Sequence, residues 1–91
     1  MNKPNSINDF VFLCMKDGDW WTFWELQKVI KEKTGKFYGE PSLSAAIRDL
    51  RKLPYREKYN IDQFASEVVI KKRINNGKGY QYKLIGVQNG L

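Results

Sequence analysis

Three stripes of apolar residues at helical spacing precede an alternating apolar and polar pattern near the end of the chain. The residues of the first stripe recur at i, i+3, i+4 and i+7: Ile7, Phe10, Val11 and Cys14. Ser6 and Asp9 form a capping-box-like start, and Gly18 suits the left-handed residue that ends a helix. Further apolar residues widen the stripe: Phe12, Leu13 and Met15. The first helix therefore either is central to the core or contacts a partner.

The second stripe follows residues 20–22, a β-prone Trp-Trp-Thr sequence that is compatible with a minimal strand. Thr22 and Glu25 repeat the capping-box signature, and Thr34 and Gly35 mark the end of the predicted helix. The stripe consists of Leu26, Val29 and Ile30, with Phe23 or Trp24 near its start. A second amphipathic helix is therefore predicted directly after the triplet.

A third, cationic helix is predicted over residues 42–52. Pro41 suits its first turn, where the missing N–H costs nothing, and Pro54 is expected to end it at Leu53. The buried stripe consists of Leu43, Ala46, Ile47 and Leu50. The opposite face consists of Ala45, Arg48 and Lys52, flanked by Ser42, Ser44, Asp49 and Arg51. Its small residues allow close approach to another surface, and Asp49 is expected to pair with a neighbouring cation or to orient an arginine.

From Val68 onwards the period changes to two, which predicts a hairpin over residues 68–85. The sequence Asn-Asn-Gly-Lys-Gly at residues 75–79 supplies the residues that a tight turn needs at positive φ. The hairpin contains no acid and five cations: Lys71, Lys72, Arg73, Lys78 and Lys83. Lysines also protect an exposed ribbon against edge-to-edge aggregation, so this interpretation stays open beside an electrostatic one. Residues 55–66 are interpreted as a polar connection.

Six aromatic residues lie between the first and third predicted helices: Trp20, Trp21, Phe23, Trp24, Phe37 and Tyr38. A base-stacking platform is one interpretation of this set. The favoured interpretation is core packing, because most of the six lie where helix-packing contacts are expected. Trp20 or Phe23 is then the candidate for an exposed self-association patch.

The composition limits the chemistry that the chain can perform. Histidine is absent, which removes the usual general base and the commonest metal ligand. The one cysteine, Cys14, allows neither an internal disulfide nor a structural zinc site and is interpreted as a small buried hydrophobe. Residues 77–79 lack the flanking strand and helix of a phosphate-binding glycine loop. We expect no enzyme activity, no metal and no cofactor; only a mechanism built on lysine or carboxylate groups stays open.

The charge and the apolar runs indicate the partner and the compartment. A net charge of +6 and a pI near 9.5 favour an anionic partner such as nucleic acid, or less often a membrane surface. The longest apolar run, residues 10–15, is too short to span a bilayer, and residues 1–5 lack the features of a signal peptide. The expectation is a cytoplasmic protein with no membrane partner and no small-molecule ligand.

The order helix, short strand, helix, helix, strand, strand resembles the winged helix-turn-helix superfamily, especially its small phage and prophage proteins. The resemblance covers residues 6–85, and its strongest local piece is residues 47–52, Ile-Arg-Asp-Leu-Arg-Lys. It implies an α+β fold with three helices, a C-terminal β-hairpin wing and a short strand near Trp21. Residues 1–5 and 86–91 would be flexible ends. The implied function is that of a transcriptional or phage/prophage regulator in a bacterial host cell.

By the same resemblance, the third helix enters the major groove of double-stranded DNA and the wing contacts the backbone. The implied recognition residues are Ser42, Ser44, Ala45 and Arg48, with Arg51 and Lys52 nearer the phosphates. The implied wing residues are Lys71, Lys72, Arg73 and Lys78. A monomer, a weak homodimer through the first helix, and a host protein partner all stay open. The alternatives to a DNA-binding protein are a protein-interaction module in a replication or transcription assembly and a binder of structured RNA.

Overall fold

The computed structural model describes residues 3–75 and 77–88. Within these residues the chain forms a small α+β domain with four helices and one two-stranded antiparallel sheet. The elements are α1 (Ile7–Met15), α2 (Phe23–Thr34), α3 (Glu40–Asp49), α4 (Leu53–Tyr59), β1 (Val69–Arg73) and β2 (Tyr80–Leu84). No helix in this part of the chain combines the length and the apolar character that crossing a membrane requires.

The first two helices begin at the predicted caps, and α2 also ends at its predicted glycine, whereas α1 ends at Met15 with Lys16 as its cap, two residues before Gly18. The Ser6 side chain accepts a hydrogen bond from the Asp9 amide at 3.2 Å, and Thr22 and Glu25 form a complete capping box. Helix α2 ends at Gly35, whose φ of 76° lies in the left-handed region that only glycine adopts without cost. Local hydrogen bonding between side chain and backbone therefore sets these boundaries, as the sequence predicts.

The core lies between α1 and the remaining elements. α1 packs on both α2 and α3, and Phe12 stacks on Tyr59 of α4 with ring centroids 4.5 Å apart. The predicted stripe of α3 is buried in full: Leu43, Ala46, Ile47 and Leu50. α1 is thus central to the core, the first of the two alternatives that its wide apolar stripe allows.

The prediction that the cationic helix extends to Lys52 and that an irregular connection follows is wrong. α3 ends at Asp49 with Leu50 as its cap, and a further helix, α4, begins at Leu53 after Lys52 as the N-cap residue. Pro54 lies in the first turn of α4, where its missing N–H breaks no helical hydrogen bond, so it starts one helix rather than only ending another. Asn60 ends α4 with a φ of 58°.

The two strands pair in the register Val69 with Leu84 through Arg73 with Tyr80. Trp21 pairs with Tyr82 on the other edge of β2, with backbone hydrogen bonds of 2.7 Å in both directions. At this position the structure therefore has a single isolated bridge rather than the predicted minimal strand. β1 ends at Arg73 and β2 begins at Tyr80, and the Ile74 amide donates to the carbonyl of Gly79 at 3.2 Å across the connection. Gly79 has the positive φ that was expected of the turn, and Asn76 lies outside the described residues.

Residues 86–88, which the sequence assigns to a flexible end, pair with the segment that follows α4. The Asp62 amide donates to the carbonyl of Gly86 at 2.8 Å, and the Gln88 amide donates to the carbonyl of Asn60 at 2.9 Å. Ile61 and Val87 form an isolated antiparallel bridge between these two hydrogen bonds. The end of the hairpin is therefore held against the corner between α4 and β1.

Candidate nucleic-acid interface

The outward face of α3 carries the predicted recognition residues. Ser42, Ser44 and Arg48 are exposed, and Ala45 is half-buried. Within the described residues, no ion pair engages the Arg48 guanidinium. Arg48 is therefore an available donor on a helix face whose neighbouring side chains are small.

Arg51 has its guanidinium directed toward the residues at the start of β1. Its Nε lies 3.0 Å from Oε1 of Glu67, and its Nη2 donates to the carbonyl of Val69 at 3.1 Å. The ion pair with Arg51 lowers the pKa of the Glu67 carboxyl. These contacts connect the segment after α3 to the start of β1. The Nε and Nη2 groups of Arg51 therefore both have acceptors within the protein.

Lys52 pairs with Asp49, the acid beside the outward face. Its Nζ lies 3.0 Å from Oδ1 of Asp49, and Asn8 of α1 donates to the other carboxylate oxygen at 3.2 Å. The hydrogen bond from Lys52 lowers the pKa of the Asp49 carboxyl. The expectation that Asp49 pairs with a neighbouring cation is confirmed, and this pairing partly neutralises the end of the helix.

The hairpin has two faces, because residues directly opposite each other on paired strands point to the same side. The inner face consists of Val69, Lys71, Arg73, Tyr80, Tyr82 and Leu84, and the outer face consists of Ile70, Lys72, Gln81 and Lys83. Val69 and Leu84 are buried in the core, and Tyr82 stacks on Phe23 of α2 with ring centroids 5.0 Å apart. The inner face thus packs on the helices at its base and emerges from them toward the loop.

Aromatic rings support the hairpin cations on both faces. On the inner face, Lys71 and Arg73 lie 4.7 Å and 6.0 Å from the ring centre of Tyr80. On the outer face, Lys72 and Lys83 lie 4.4 Å and 5.6 Å from the ring centre of Trp20. Lys78 is exposed in the loop. Within residues 3–75 and 77–88, no ion pair joins any of these five cations to a carboxylate.

An open groove of about 540 Å³ separates the inner face near the loop from the starts of α2 and α3. Its lining is mainly aromatic and apolar but includes Lys78 and the carboxylate of Glu40: Thr22, Phe23, Trp24, Glu40, Ile74, Lys78, Gly79, Tyr80 and Tyr82. Glu40 begins α3, where a negative charge is favourable beside the helix N-terminus. The same carboxylate repels a phosphate that would enter the groove.

The exposed aromatic residues differ from those expected. Trp20 and Phe23 are half-buried, whereas Trp24 and Phe37 are 65% and 63% exposed. Trp24 and Phe37 line one shallow depression together with Gln27, Lys28 and Lys31. The hairpin places Tyr82 against Phe23, so the Phe23 ring packs on that side of α2. The helical pattern of α2 alone does not predict this contact. Trp24 remains on the solvent-exposed side.

Two polar clusters that the sequence analysis missed hold α4 in place. Asp9 of α1 is buried and accepts hydrogen bonds from the Tyr59 hydroxyl and from Lys58, whose Nζ lies 3.2 Å away. Arg56 is 7% exposed and donates to three carbonyl oxygens, those of Arg51, Asp62 and Ala65, at 2.8, 3.2 and 2.7 Å. Arg56 and Tyr59 are both buried and lie three residues apart, which is the spacing of one helix face. This pattern is hidden in the sequence because Arg56 is polar.

Burial acts to raise the pKa of the Asp9 carboxyl, but the hydrogen bonds from Tyr59, the Asn5 amide and Lys58 hold it below its usual value. Burial and the neighbouring Asp9 carboxylate raise the pKa of the Tyr59 hydroxyl. The described part of the chain contains no cluster of three or more His, Cys, Asp or Glu side chains arranged to hold a metal ion. The cluster of Asp9, Lys58 and Tyr59 instead connects α1 to α4.

Comparisons with known proteins give no match. The sequence fits no family model, and no curated protein and no solved structure is significantly similar to it.

Proposed function

We propose that this protein binds double-stranded DNA in a sequence-specific manner as a winged helix-turn-helix protein. In this proposal it acts as a transcriptional or phage/prophage regulator in the bacterial cytoplasm, with α3 in the major groove and the hairpin on the DNA backbone. The order of the elements supports the fold, since Trp21 pairs with β2 and gives the strand order Trp21, β2, β1. The added helix α4 is accommodated between α3 and β1.

The observation that carries the proposal is the absence of acid partners for the hairpin cations. Within the described residues, the three ion pairs of the protein engage Arg51, Lys52 and Lys58, and none engages the hairpin. A ribbon with five cations attracts the phosphates of nucleic acid. When the cations neutralise those phosphates, the counterions bound to the nucleic acid are released. The phosphate-binding charge is therefore assigned mainly to the hairpin rather than to the end of α3.

Base recognition is assigned to the exposed face of α3. An exposed arginine can donate two hydrogen bonds to guanine in the major groove, and serine hydroxyls can contact bases or phosphates. Arg48 has this role in the proposal, with Ser42, Ser44 and Ala45 at the closest approach. Arg51 and Lys52 contribute less than the sequence alone suggests, because their charges are paired with Glu67 and Asp49.

The test begins with selection of a preferred site from a random duplex library. Binding to that site and to random duplex is then measured for the wild type, Arg48→Ala, Lys72→Ala and the control Lys16→Ala, which changes an exposed cation at the end of α1. Arg48→Ala should weaken the preferred site by about 1–3 kcal/mol more than random DNA. Lys72→Ala should weaken both alike and reduce the salt slope by about 0.9. Equal losses for both variants on both targets would contradict the assignment of roles.

Docking of another protein is the second candidate function, and the exposure of Trp24 and Phe37 favours it. Large aromatic side chains on a surface commonly mark interaction sites. The double variant Trp24→Ser/Phe37→Ser separates the two functions, because neither residue is an assigned DNA contact, although Trp24 lines the same groove as Lys78. Unchanged duplex binding by this variant leaves the DNA function intact. A wild-type protein that binds no duplex at about 50 mM salt excludes it.

A further inference from the structure

We propose that the outer face of the hairpin contains a phosphate-binding site for the DNA backbone, formed by Lys72 and Lys83 and positioned by Trp20. The three residues are called the Trp20 site below. The inference rests on the proposed DNA-binding function and adds a site whose arrangement depends on an aromatic residue from the other end of the chain. Of the three residues, the sequence analysis includes only Lys72 among the DNA contacts.

The sheet register explains how the three side chains meet. Because Trp21 pairs with Tyr82, the preceding residue, Trp20, lies opposite Lys83 on the outer face. Lys72 lies on β1, opposite Gln81 of β2. Its ammonium group nevertheless comes within 4.4 Å of the Trp20 ring centre. The indole and the two lysine chains therefore converge over the middle strand, β2.

This convergence places two like charges beside one ring. The Nζ atoms of Lys72 and Lys83 lie 4.4 Å and 5.6 Å from the ring centre, within the range at which an indole attracts a cation. The attraction offsets part of the repulsion between the two ammonium groups, and in the described part of the chain no carboxylate pairs with either. An anion that accepts hydrogen bonds from both lysines would remove the remaining repulsion, and a backbone phosphate has the required charge and oxygen atoms.

The inner face is a poorer place for the same phosphate. The groove beside it includes the carboxylate of Glu40 and is lined mainly by aromatic and apolar groups. Neither face has an acidic residue among its own members, and each has two cations. The Glu40 side chain beside the inner face, and the contact of both outer-face lysines with one indole, therefore favour the outer face as the side on which the backbone lies.

Trp20 acts in this proposal as a positioning residue that limits the freedom of two long side chains. An unrestrained lysine loses side-chain entropy when it is fixed on a phosphate. Contact with the indole removes part of that freedom before binding. The effect of Trp20 on DNA affinity must then pass through Lys72 and Lys83, which makes the proposal testable by a double-mutant cycle.

The experiment measures binding of the full chain to a random duplex between about 50 and 200 mM salt. The variants are Lys72→Gln/Lys83→Gln, Trp20→Leu, Trp20→Phe, their combination Trp20→Leu/Lys72→Gln/Lys83→Gln, and the control Lys16→Gln. Removing both lysines should reduce the salt slope by about 1.8, and Trp20→Leu should weaken binding about two- to fivefold. Trp20→Phe should recover most of this loss, because phenylalanine retains an aromatic face. The Lys16→Gln control should have a salt slope within about 0.3 of the wild-type slope.

The decisive comparison is Trp20→Leu in the background that lacks both lysines, where it should change the affinity less than about 1.5-fold. A full Trp20 effect in that background would mean that the indole contacts DNA directly, which overturns the positioning role. An unchanged salt slope after removal of both lysines would overturn the site while leaving the DNA function in place. No duplex binding by the wild type would reject the proposed function itself. Circular dichroism identifies any variant that has lost the fold, and the lysine variants test the site without changing Trp20.

Discussion

Arg51 and Glu67 form an ion pair, Nε to Oε1 at 3.0 Å, that connects the segment after α3 to the residues before β1. Arg51 also donates to the carbonyl of Val69, so its guanidinium fixes the position of the hairpin relative to the helix. The side chains are 36% and 49% exposed, and solvent therefore screens the ionic part of the interaction. The pair determines geometry more than it contributes stability.

Replacing Arg51 separates this structural role from DNA contact. Arg51→Gln should lower the free energy of unfolding by about 1–2 kcal/mol, mainly through loss of the hydrogen bond to the Val69 carbonyl. Urea unfolding measures this change, and binding to the preferred DNA site should fall less than with Arg48→Ala. A normal unfolding curve with a DNA loss as large as that of Arg48→Ala would show that the Arg51 guanidinium reaches DNA.

The Asp9 and Tyr59 pair should make stability depend on pH at both ends of the range. The pKa of Asp9 is lower in the folded protein, so its contribution is present above its unfolded value of 3.8 and is lost as the pH falls through the folded value. The pKa of Tyr59 is raised, so its contribution is present below the unfolded value of 10.0 and is lost as the pH rises through the folded value.

Tyr59→Phe tests this linkage. The variant should lose about 1–3 kcal/mol near neutral pH, because buried Asp9 loses a hydrogen-bond donor. It should also lose the part of the alkaline pH dependence that Tyr59 causes. Guanidinium unfolding at a series of pH values measures both effects, and Tyr55→Phe on the same helix is the matched control. If the stability of Tyr59→Phe depended on alkaline pH as it does in the wild type, the assignment of this pH dependence to Tyr59 would be contradicted.

The buried Arg56 should be among the most sensitive positions in the chain. Arg56→Lys should lower the free energy of unfolding by about 2 kcal/mol and Arg56→Ala by about 3 kcal/mol. An ammonium group cannot reproduce the planar fork that reaches the carbonyls of Arg51, Asp62 and Ala65. Thermal and urea unfolding provide the measurement, with the exposed Arg48→Ala as control. Equal stability of Arg56→Lys and the wild type would show that a positive charge is sufficient at this position and that the three hydrogen bonds of the guanidinium are not required.

Cys14 should react slowly with thiol reagents in the folded protein. It is buried, and burial raises the pKa of its thiol, so both access and the thiolate fraction are reduced. A chromogenic disulfide reagent at about pH 8 should modify the denatured chain at least about 100-fold faster than the native one. Comparable rates in the two states would mean that the packing of α1 opens readily.

The parts of the fold that sequence patterns predict are those with local causes. The caps at Ser6 and Thr22 and the left-handed Gly35 depend on neighbouring residues, and each is found as expected. The buried stripe of α3 follows from its period alone. The hairpin also follows from its period.

The parts that the sequence did not predict depend on distant partners. Pro54 is ambiguous in sequence, since proline both ends one helix and begins another, and α4 is stabilised by Asp9 from far along the chain. The charge of Arg51 is paired with Glu67, sixteen residues away. Lys83 is recognised in sequence as a hairpin cation, but its contact with Trp20 follows only from the bridge between Trp21 and Tyr82. Burial by itself can therefore be anticipated more readily than the partner of a given charge.

The bridge between Trp21 and Tyr82 joins residues that are about sixty positions apart, so it closes only after the intervening chain has been ordered. In a partly folded chain with formed helices and an open sheet, Trp20 and Lys72 would be far apart. Mass action then stabilises the closed chain whenever an anion binds it preferentially. A polyanion should accordingly slow amide hydrogen exchange at Trp21 and Tyr82, so that occupancy of the Trp20 site and closure of the fold are read from the same two amide groups.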